Sequence, residues 1–106
     1  MAALIYCPFP DRDCARIVAG QLLDEKLIAC ANIFGEVESL FIWEGKRDTA
    51  IEVGALLKTD AALLDQAIDR LGELHPYDTP AVMGWRCDSV ASPTREWLSG
   101  LREEGA

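Results

Sequence analysis

The sequence predicts an α+β fold in which one antiparallel sheet carries two helices on one face. Three observations lead to this prediction. Apolar runs of β-forming residues alternate with segments whose apolar residues recur at helical spacing. The segments follow the order strand, helix, strand, strand, strand, helix, strand, helix. The chain has 106 residues and is 50% hydrophobic, which is the size and apolar content of one domain with one core.

The first two elements are predicted from local signals near the amino terminus. Residues 3–9 are a run of β-forming residues that two prolines bring to an end, so they predict a strand. Asp11 then caps a helix in residues 11–26. The apolar residues that recur every four positions in this helix are Cys14, Val18 and Leu22.

The middle of the chain contains three strand-like runs. Residues 27–34 are apolar on both alternating faces, which favours a central strand, and Gly35 is predicted to end it. Residues 37–46 and 49–59 are two long runs that flank a short polar connection at residues 45–48. This arrangement is typical of a β-hairpin.

A second helix and a further strand follow the hairpin. Thr59 or Asp60 is expected to cap the helix. Pro76 ends it by His75, because the residue before a proline is pushed out of the α region. Residues 80–87 then predict a strand that starts at a proline.

The last element is a helix, for which Ser92 and Pro93 are the predicted N-cap and first residue. The order of elements is therefore βαββαβ with an extra strand segment, a long central hairpin and a C-terminal helix. This is the ferredoxin-like arrangement. The chain shows no linker, repeat or low-complexity segment, so residues 1–106 are predicted to form one domain.

One strand of the hairpin is apolar on both faces. Alternation puts Leu40 and Ile42 on one side and Phe41 and Trp43 on the other. Two helices can cover only one face of the sheet, so a second layer is needed for these side chains. We therefore expect subunits to associate here, and a hairpin that packs on its own chain is the alternative.

The charge of the chain restricts its partners. With 18 acidic and 10 basic residues the formal net charge is -8, which repels a phosphate backbone, so no nucleic acid is expected to bind.

The amino terminus lacks a basic region followed by the apolar run of a signal peptide. No run approaches the roughly 20 apolar residues of a membrane span. We expect a cytoplasmic protein with no membrane partner.

The residues that commonly carry chemistry are few. The four cysteines form no Cys-x-x-Cys pair, so we expect reduced thiols that act as small hydrophobic residues, with metal ligation as the alternative. The chain has a single histidine and no nucleophile with a neighbouring base. No enzymatic activity is therefore expected.

Four motifs, in this order, resemble a known family. Ala-Cys-x-Asn-Ile covers residues 29–33, Trp-Glu-Gly-Lys residues 43–46, Lys-Thr residues 58–59 and His-Pro-Tyr-Asp-x-Pro residues 75–80. Together they resemble the CutA family of divalent-cation tolerance proteins. The resemblance implies a cytoplasmic, ferredoxin-like subunit that forms a tight homotrimer through its hairpin strands. It also implies a link to copper and other divalent metals, and an architecture shared with the trimeric PII-type signalling proteins.

The resemblance also implies metal ligands. Cys7 and Cys30 match cysteines that the family associates with copper, and His75 lies in the His-Pro-Tyr signature. Thiolate and imidazole suit copper or another divalent cation. As an alternative that needs no ligand, His75 ends a helix, where its side chain can meet the unpaired helix carbonyls.

Two further sets of residues follow from the expected fold. A ligand cleft, defined by an aromatic wall and mixed charge, is predicted to contain Trp43, Glu44, Lys58, Tyr77 and Asp78. The trimer interface is predicted to use Phe41, Trp43, Ile51 and Val53. The cleft supports an alternative function, a PII-like regulatory module that binds a small ligand between subunits and signals to a partner protein.

Three positions depart from the family pattern. Phe41 stands where the family often has tyrosine, and Ala81 follows Pro80 where it often has glutamate. Gly84 and Trp85 replace a more aliphatic stretch. Each change removes or reshapes a polar contact, while the hydrophobic pattern that specifies the fold is kept.

Overall fold

A computed structural model describes residues 1–104 of the chain, so residues 105–106 of the predicted domain lie outside it. The elements are β1 (Ala2–Phe9), α1 (Arg12–Asp24), β2 (Cys30–Trp43), β3 (Lys46–Asp60), α2 (Leu64–Leu74), β4 (Met83–Arg86) and α3 (Ser92–Glu104). A short 3-10 turn, Ala61–Leu63, connects β3 to α2. The sheet is antiparallel with the strand order β2-β3-β1-β4. The predicted ferredoxin-like α+β fold with a long central hairpin is therefore confirmed.

The position of β2 corrects one prediction. The strand lies at the edge of the sheet, where only β3 pairs with it, and not in the centre. It also begins at Cys30, so Leu27 and Ile28 are buried from the turn before the strand. The apolar residues of the turn and of the first part of β2 form one continuous apolar run in the sequence. Such a run is also typical of a central strand, which is why the sequence predicted one here.

Gly35 does not end a strand as predicted. The pairing of β2 with β3 continues past it and changes register between Ile33 and Glu36. A bulge of this kind accommodates the one extra residue of β2 and bends the strand. The two predicted strands before and after Gly35 are consequently one long strand.

The hairpin turn is tighter than the predicted connection. Glu44 and Gly45 both have positive φ, 52° and 77°, as in the two-residue turns that suit the twist of paired strands. Lys46 already belongs to β3, which extends the strand to Lys46–Asp60. The polar residues after Gly45 therefore form the tip of the hairpin and not a loop.

The ends of the helices agree with most of the predicted signals. The Asp11 side chain accepts from the Cys14 N–H at 2.8 Å, and the Asp60 side chain accepts from the Ala62 N–H at 2.8 Å. Thr59, the other candidate cap, instead donates to the Leu27 carbonyl at 2.7 Å. The α3 helix begins one residue earlier than predicted, because Ser92 is already helical.

The main core lies between the sheet and helices α1 and α2. Alternate residues of β1 and β3 point into it. They are Ala3, Ile5, Cys7 and Phe9 of β1 and Val53, Ala55 and Leu57 of β3. Helix α3 packs on β3 and β1 and buries Leu98 and Leu101. In the described part of the chain, the helices are too short or too polar to cross a membrane.

The distal half of the hairpin remains uncovered in the subunit. Its large apolar side chains are 40 to 76% exposed. They are Leu40, Phe41, Ile42, Trp43 and Ile51. The sequence also allowed a hairpin that packs on its own chain. Such packing would bury these side chains, but they are exposed in the subunit.

Candidate functional site

His75 is the C-cap of α2, but its side chain does not meet the helix carbonyls as predicted. The imidazole is 6% exposed, and its Nε2 lies 2.8 Å from the Pro8 carbonyl oxygen of β1. The Tyr77 N–H donates to Nδ1 at 3.1 Å. Because Nδ1 accepts this bond, the proton is on Nε2, which donates to Pro8. The ring therefore joins the loop after α2 to the end of β1.

Aromatic rings lie on either side of this imidazole. The Phe9 ring stacks on His75 with centroids 4.9 Å apart and planes at 21°. The Tyr77 ring is tilted at 54° with a centroid distance of 4.7 Å. Such contacts add packing energy beyond buried area. They hold His75 in one orientation.

Cys7 meets His75 at the same carbonyl. Its side chain is fully buried, and Sγ donates to Pro8 O at 3.4 Å. Burial raises the pKa of the Cys7 thiol to about 12, with smaller contributions from the charges of Glu52 and Cys14. The thiol is therefore protonated at neutral pH. Two of the three predicted metal ligands, Cys7 and His75, converge on one point.

Cys30 does not join them within the subunit. It lies opposite Lys58 on β3, whereas Cys7 lies opposite Ala55. Directly paired residues share a face and neighbouring residues alternate, so the two cysteines point to opposite faces of the sheet. Among residues 1–102, whose side chains the structure describes, His, Cys, Asp and Glu form no group of three or more that is arranged to hold a metal ion.

Tyr77 connects the loop after α2 to the hairpin. Its hydroxyl donates to Glu52 Oε2 at 2.9 Å, and the Glu52 side chain is only 8% exposed. Burial first, and then the hydrogen bond and charge of Glu52, raise the pKa of Tyr77 to about 12. The phenol therefore remains a donor throughout the physiological range.

A cleft of about 700 Å³ opens between the hairpin and residues 77–81. Its lining is mainly apolar and aromatic, as is usual for small-molecule sites. The lining residues are Pro8, Ser39, Phe41, Ile42, Trp43, Ala50, Glu52, Tyr77, Asp78, Thr79, Pro80 and Ala81.

Three of the five predicted cleft residues line it: Trp43, Tyr77 and Asp78. Glu44 is in the turn at the hairpin tip, and Lys58 is paired with Leu4 near the other end of the sheet. These two lie outside the lining because the turn and the strand register direct them elsewhere.

Sequence reasoning missed Glu52 as a cleft residue. A carboxylate within the otherwise apolar run of residues 50–57 is the signal that marks it, because a buried acid needs a hydrogen-bond partner. Pro8 was also missed, since its role depends on a carbonyl oxygen and not on its side chain.

The predicted interface residues divide into two groups. Trp43 and Ile51 are 53% and 56% exposed, and Phe41 is exposed beside them. Val53 is buried in the core of its own subunit, so little of it is left for a neighbour. The exposed members of the predicted interface therefore all lie on the distal hairpin.

The chain is similar to known proteins over most of its length. Residues 3–100 match the family described as CutA1 divalent ion tolerance protein. A relative from Pyrococcus horikoshii, named divalent-cation tolerance protein CutA, is 43% identical over 95 residues, which are 90% of this chain and 92% of the relative.

Solved structures agree with this similarity. CutA1 from Ehrlichia chaffeensis is 32% identical, has a TM-score of 0.88 and is matched over 94% of each chain. CutA from Archaeoglobus fulgidus, which is described as periplasmic, is 31% identical with a TM-score of 0.89, over 95% of this chain and 98% of that one. From its matched residues and its fold, the chain belongs to the CutA1 family of divalent ion tolerance proteins.

Proposed function

We propose that this protein binds copper, or another divalent cation, as part of cation tolerance, and that it does so as a homotrimer without enzymatic activity. The observation that carries the proposal is the convergence of Cys7 Sγ and His75 Nε2 on the Pro8 carbonyl oxygen, at 3.4 and 2.8 Å. Sulfur and imidazole nitrogen are donors that suit copper, and Cu(I) prefers sulfur.

The protonation of Cys7 determines how such a site behaves. A thiol must lose its proton to ligate a metal, and the buried Cys7 thiol has its pKa raised to about 12. Metal therefore competes with a proton at Cys7, and at His75 it competes with the Nε2 proton that is donated to the Pro8 carbonyl. We expect copper affinity to rise with pH over the range in which the fold is stable.

A copper titration of the reduced protein tests this proposal. Cys7→Ser and His75→Gln should each lose the thiolate-dependent signal, whereas Cys14→Ser should retain it. Cys30→Ser distinguishes two forms of the site: it retains binding if Cys7 and His75 suffice, and loses binding if Cys30 of a neighbouring subunit contributes. Binding that is unchanged in both Cys7→Ser and His75→Gln would refute the proposal.

Homotrimer formation is supported by the uncovered hairpin. Trp43 and Ile51 are exposed on its distal half, and β2 has an unpaired edge. A closed three-fold ring covers apolar faces and strand edges without open-ended growth. Light scattering should give three times the 11.7 kDa mass of the chain, and a monomer mass at micromolar concentration would contradict the proposal.

A second candidate function is supported by the cleft. The protein would act as a PII-like regulatory module that binds a small ligand beside the hairpin and signals to a partner protein. The observation in its favour is the cleft of about 700 Å³ with its aromatic wall. A thermal-shift screen of small metabolites tests it, and the absence of any stabilising compound would count against it.

The proposed location is the cytoplasm. The structure has four free cysteines, and unpaired thiols persist in a reducing compartment. Fractionation of cells that express the protein would test this, and recovery with periplasmic markers would contradict it.

A further inference from the structure

We infer that the cleft beside the hairpin selects a small organic cation with an apolar body, a protonated amine or guanidinium, and rejects anionic metabolites. The inference rests on the second candidate function, the ligand cleft, and adds the charge class of its ligand. It comes from the combination of buried acid, exposed acid and aromatic wall that the structure assembles in one place.

The charges of the cleft have one sign. Glu52 and Asp78 line it, and none of the described residues in the lining is basic. Lys46 lies opposite Trp43 in the hairpin register, but it is not part of the lining. The formal net charge of -8 adds a field of the same sign. An anion entering the cleft of the subunit would meet two carboxylates and no basic side chain of the described lining.

Glu52 is the principal anchor for a positive group. Its side chain is 8% exposed, and Tyr77 donates to Oε2. A carboxylate accepts several hydrogen bonds, so this contact leaves Oε1 able to accept another. Burial makes a charged donor there more valuable than at the surface, because little water competes for the carboxylate. An ammonium or guanidinium supplies such a donor.

The aromatic wall suits the rest of such a ligand. Phe41, Trp43 and Tyr77 all line the cleft, together with Pro8 and Pro80. Phe41 and Trp43 are also residues of the proposed trimer interface, so the proposed ligand site borders that interface. Aromatic faces attract cations and pack against apolar groups, and tryptophan does both best. A hydrated metal ion gains little from this wall, whereas an amine with an aromatic or aliphatic body uses both the wall and the acid.

Three probes of similar size test the inference on the assembled protein. They are 2-phenylethylamine, which is cationic at pH 7, benzyl alcohol, which is neutral, and 3-phenylpropionate, which is anionic. Binding is followed by calorimetry and by the chemical shift of the Trp43 indole. We expect the amine to bind at least about tenfold more tightly than the anion, since one charge-assisted hydrogen bond has about that effect on affinity.

Two matched substitutions locate the effect. Glu52→Gln removes the charge and keeps an oxygen that accepts from Tyr77, so it should weaken amine binding about tenfold and leave benzyl alcohol unchanged. Glu38→Gln is the control, because Glu38 is exposed on the same hairpin and outside the cleft lining. Melting temperature and light scattering, measured for each variant, check that it remains folded and assembled.

The possible outcomes distinguish two claims, that the cleft prefers a cationic ligand and that it binds a ligand at all. If the anion or the alcohol shifts the Trp43 signal as strongly as the amine does, the cleft binds ligands but the inferred cation selectivity is wrong. If no probe shifts that signal, ligand binding in the cleft is refuted as well. If Glu38→Gln weakens the amine as much as Glu52→Gln does, general surface charge explains the preference and the inference fails.

Discussion

The Tyr77 hydroxyl donates a 2.9 Å hydrogen bond to Glu52 Oε2, and this contact joins the loop after α2 to the middle of β3. The two residues are 25 positions apart in the chain. Glu52 is almost fully buried, so the phenol is the group that satisfies its carboxylate. One side of the cleft is therefore held against the other by a single polar pair.

Removal of the Tyr77 hydroxyl should destabilise the subunit. Tyr77→Phe leaves a buried carboxylate without its donor, which costs about 1 to 3 kcal/mol of the free energy of unfolding. Urea denaturation measures this loss. In a Glu52→Gln background the same substitution should cost less, because a neutral amide is easier to leave unpaired. Equal losses in both backgrounds would show that Tyr77 acts by packing alone.

His75→Ala should be more damaging than the loss of an exposed helix cap. The substitution removes two hydrogen bonds and the stacking on Phe9, so we expect a loss of about 2 to 4 kcal/mol in the free energy of unfolding. His75→Gln, which retains a donor and an acceptor, should lose less. Light scattering should still give the assembled mass, because His75 is buried within its own subunit.

Cys7 should resist alkylation in the folded protein. The thiol is fully buried and its pKa is about 12, so at pH 8 only about one molecule in ten thousand carries the reactive thiolate. Iodoacetamide followed by peptide mass spectrometry should label Cys30, which is partly exposed, and spare Cys7. Both should react in urea. Labelling of Cys7 at the rate of Cys30 would contradict its described burial.

The same pKa predicts the direction of a pH effect on stability. The folded thiol, with its pKa raised to about 12, keeps its proton to higher pH than the unfolded thiol, whose pKa has the ordinary value of 9.0. Unfolding therefore releases a proton between these values, and stability should fall as pH rises through this window. Cys7→Ala should reduce the slope, which urea titrations at pH 8 and 10 would measure. An unchanged slope would assign the effect to other groups.

Gly84→Ala should loosen the packing of α2 on β4. A Cβ at Gly84 would lie 2.8 Å from Leu64 Cδ1, 3.0 Å from Ile68 Cδ1 and 3.0 Å from the Leu4 carbonyl oxygen. Overpacking of this kind typically costs about 1 to 3 kcal/mol. Gly72→Ala is the control, because a Cβ there meets nothing within 4 Å and alanine favours the helix. Thermal melts should show a loss for the first and none for the second.

Trp43→Asp should dissociate the proposed trimer. The side chain is 53% exposed in the subunit, so a charge there is tolerated by the isolated chain but not within an apolar interface. Arg95→Asp on α3 is the matched control, since Arg95 is exposed and lies outside the hairpin. We expect light scattering to give a smaller mass for Trp43→Asp only. A trimer mass for both variants would remove Trp43 from the interface.

Local signals in the sequence determined most of the fold. Asp11 caps α1 and Pro76 stops α2 through short-range chemistry that needs no tertiary contact. Apolar alternation identified the long hairpin and its uncovered aromatic residues. The family motifs likewise identified the CutA1 family, because they are runs of neighbouring residues.

The site depended on contacts that only the folded chain makes. His75 and Pro8 are 67 positions apart. Every residue has a carbonyl oxygen, so the type of residue does not show which carbonyl accepts the hydrogen bond. The pairing of the strands places Cys30 and Cys7 on opposite faces of the sheet and β2 at its edge. The spacing of residues along the chain does not specify this pairing. The sequence by itself determined which elements form, because helix and strand signals are local. The tertiary structure decided which side chains meet, because the register of the strands and the order of the strands in the sheet set the distances between residues that are far apart in the sequence.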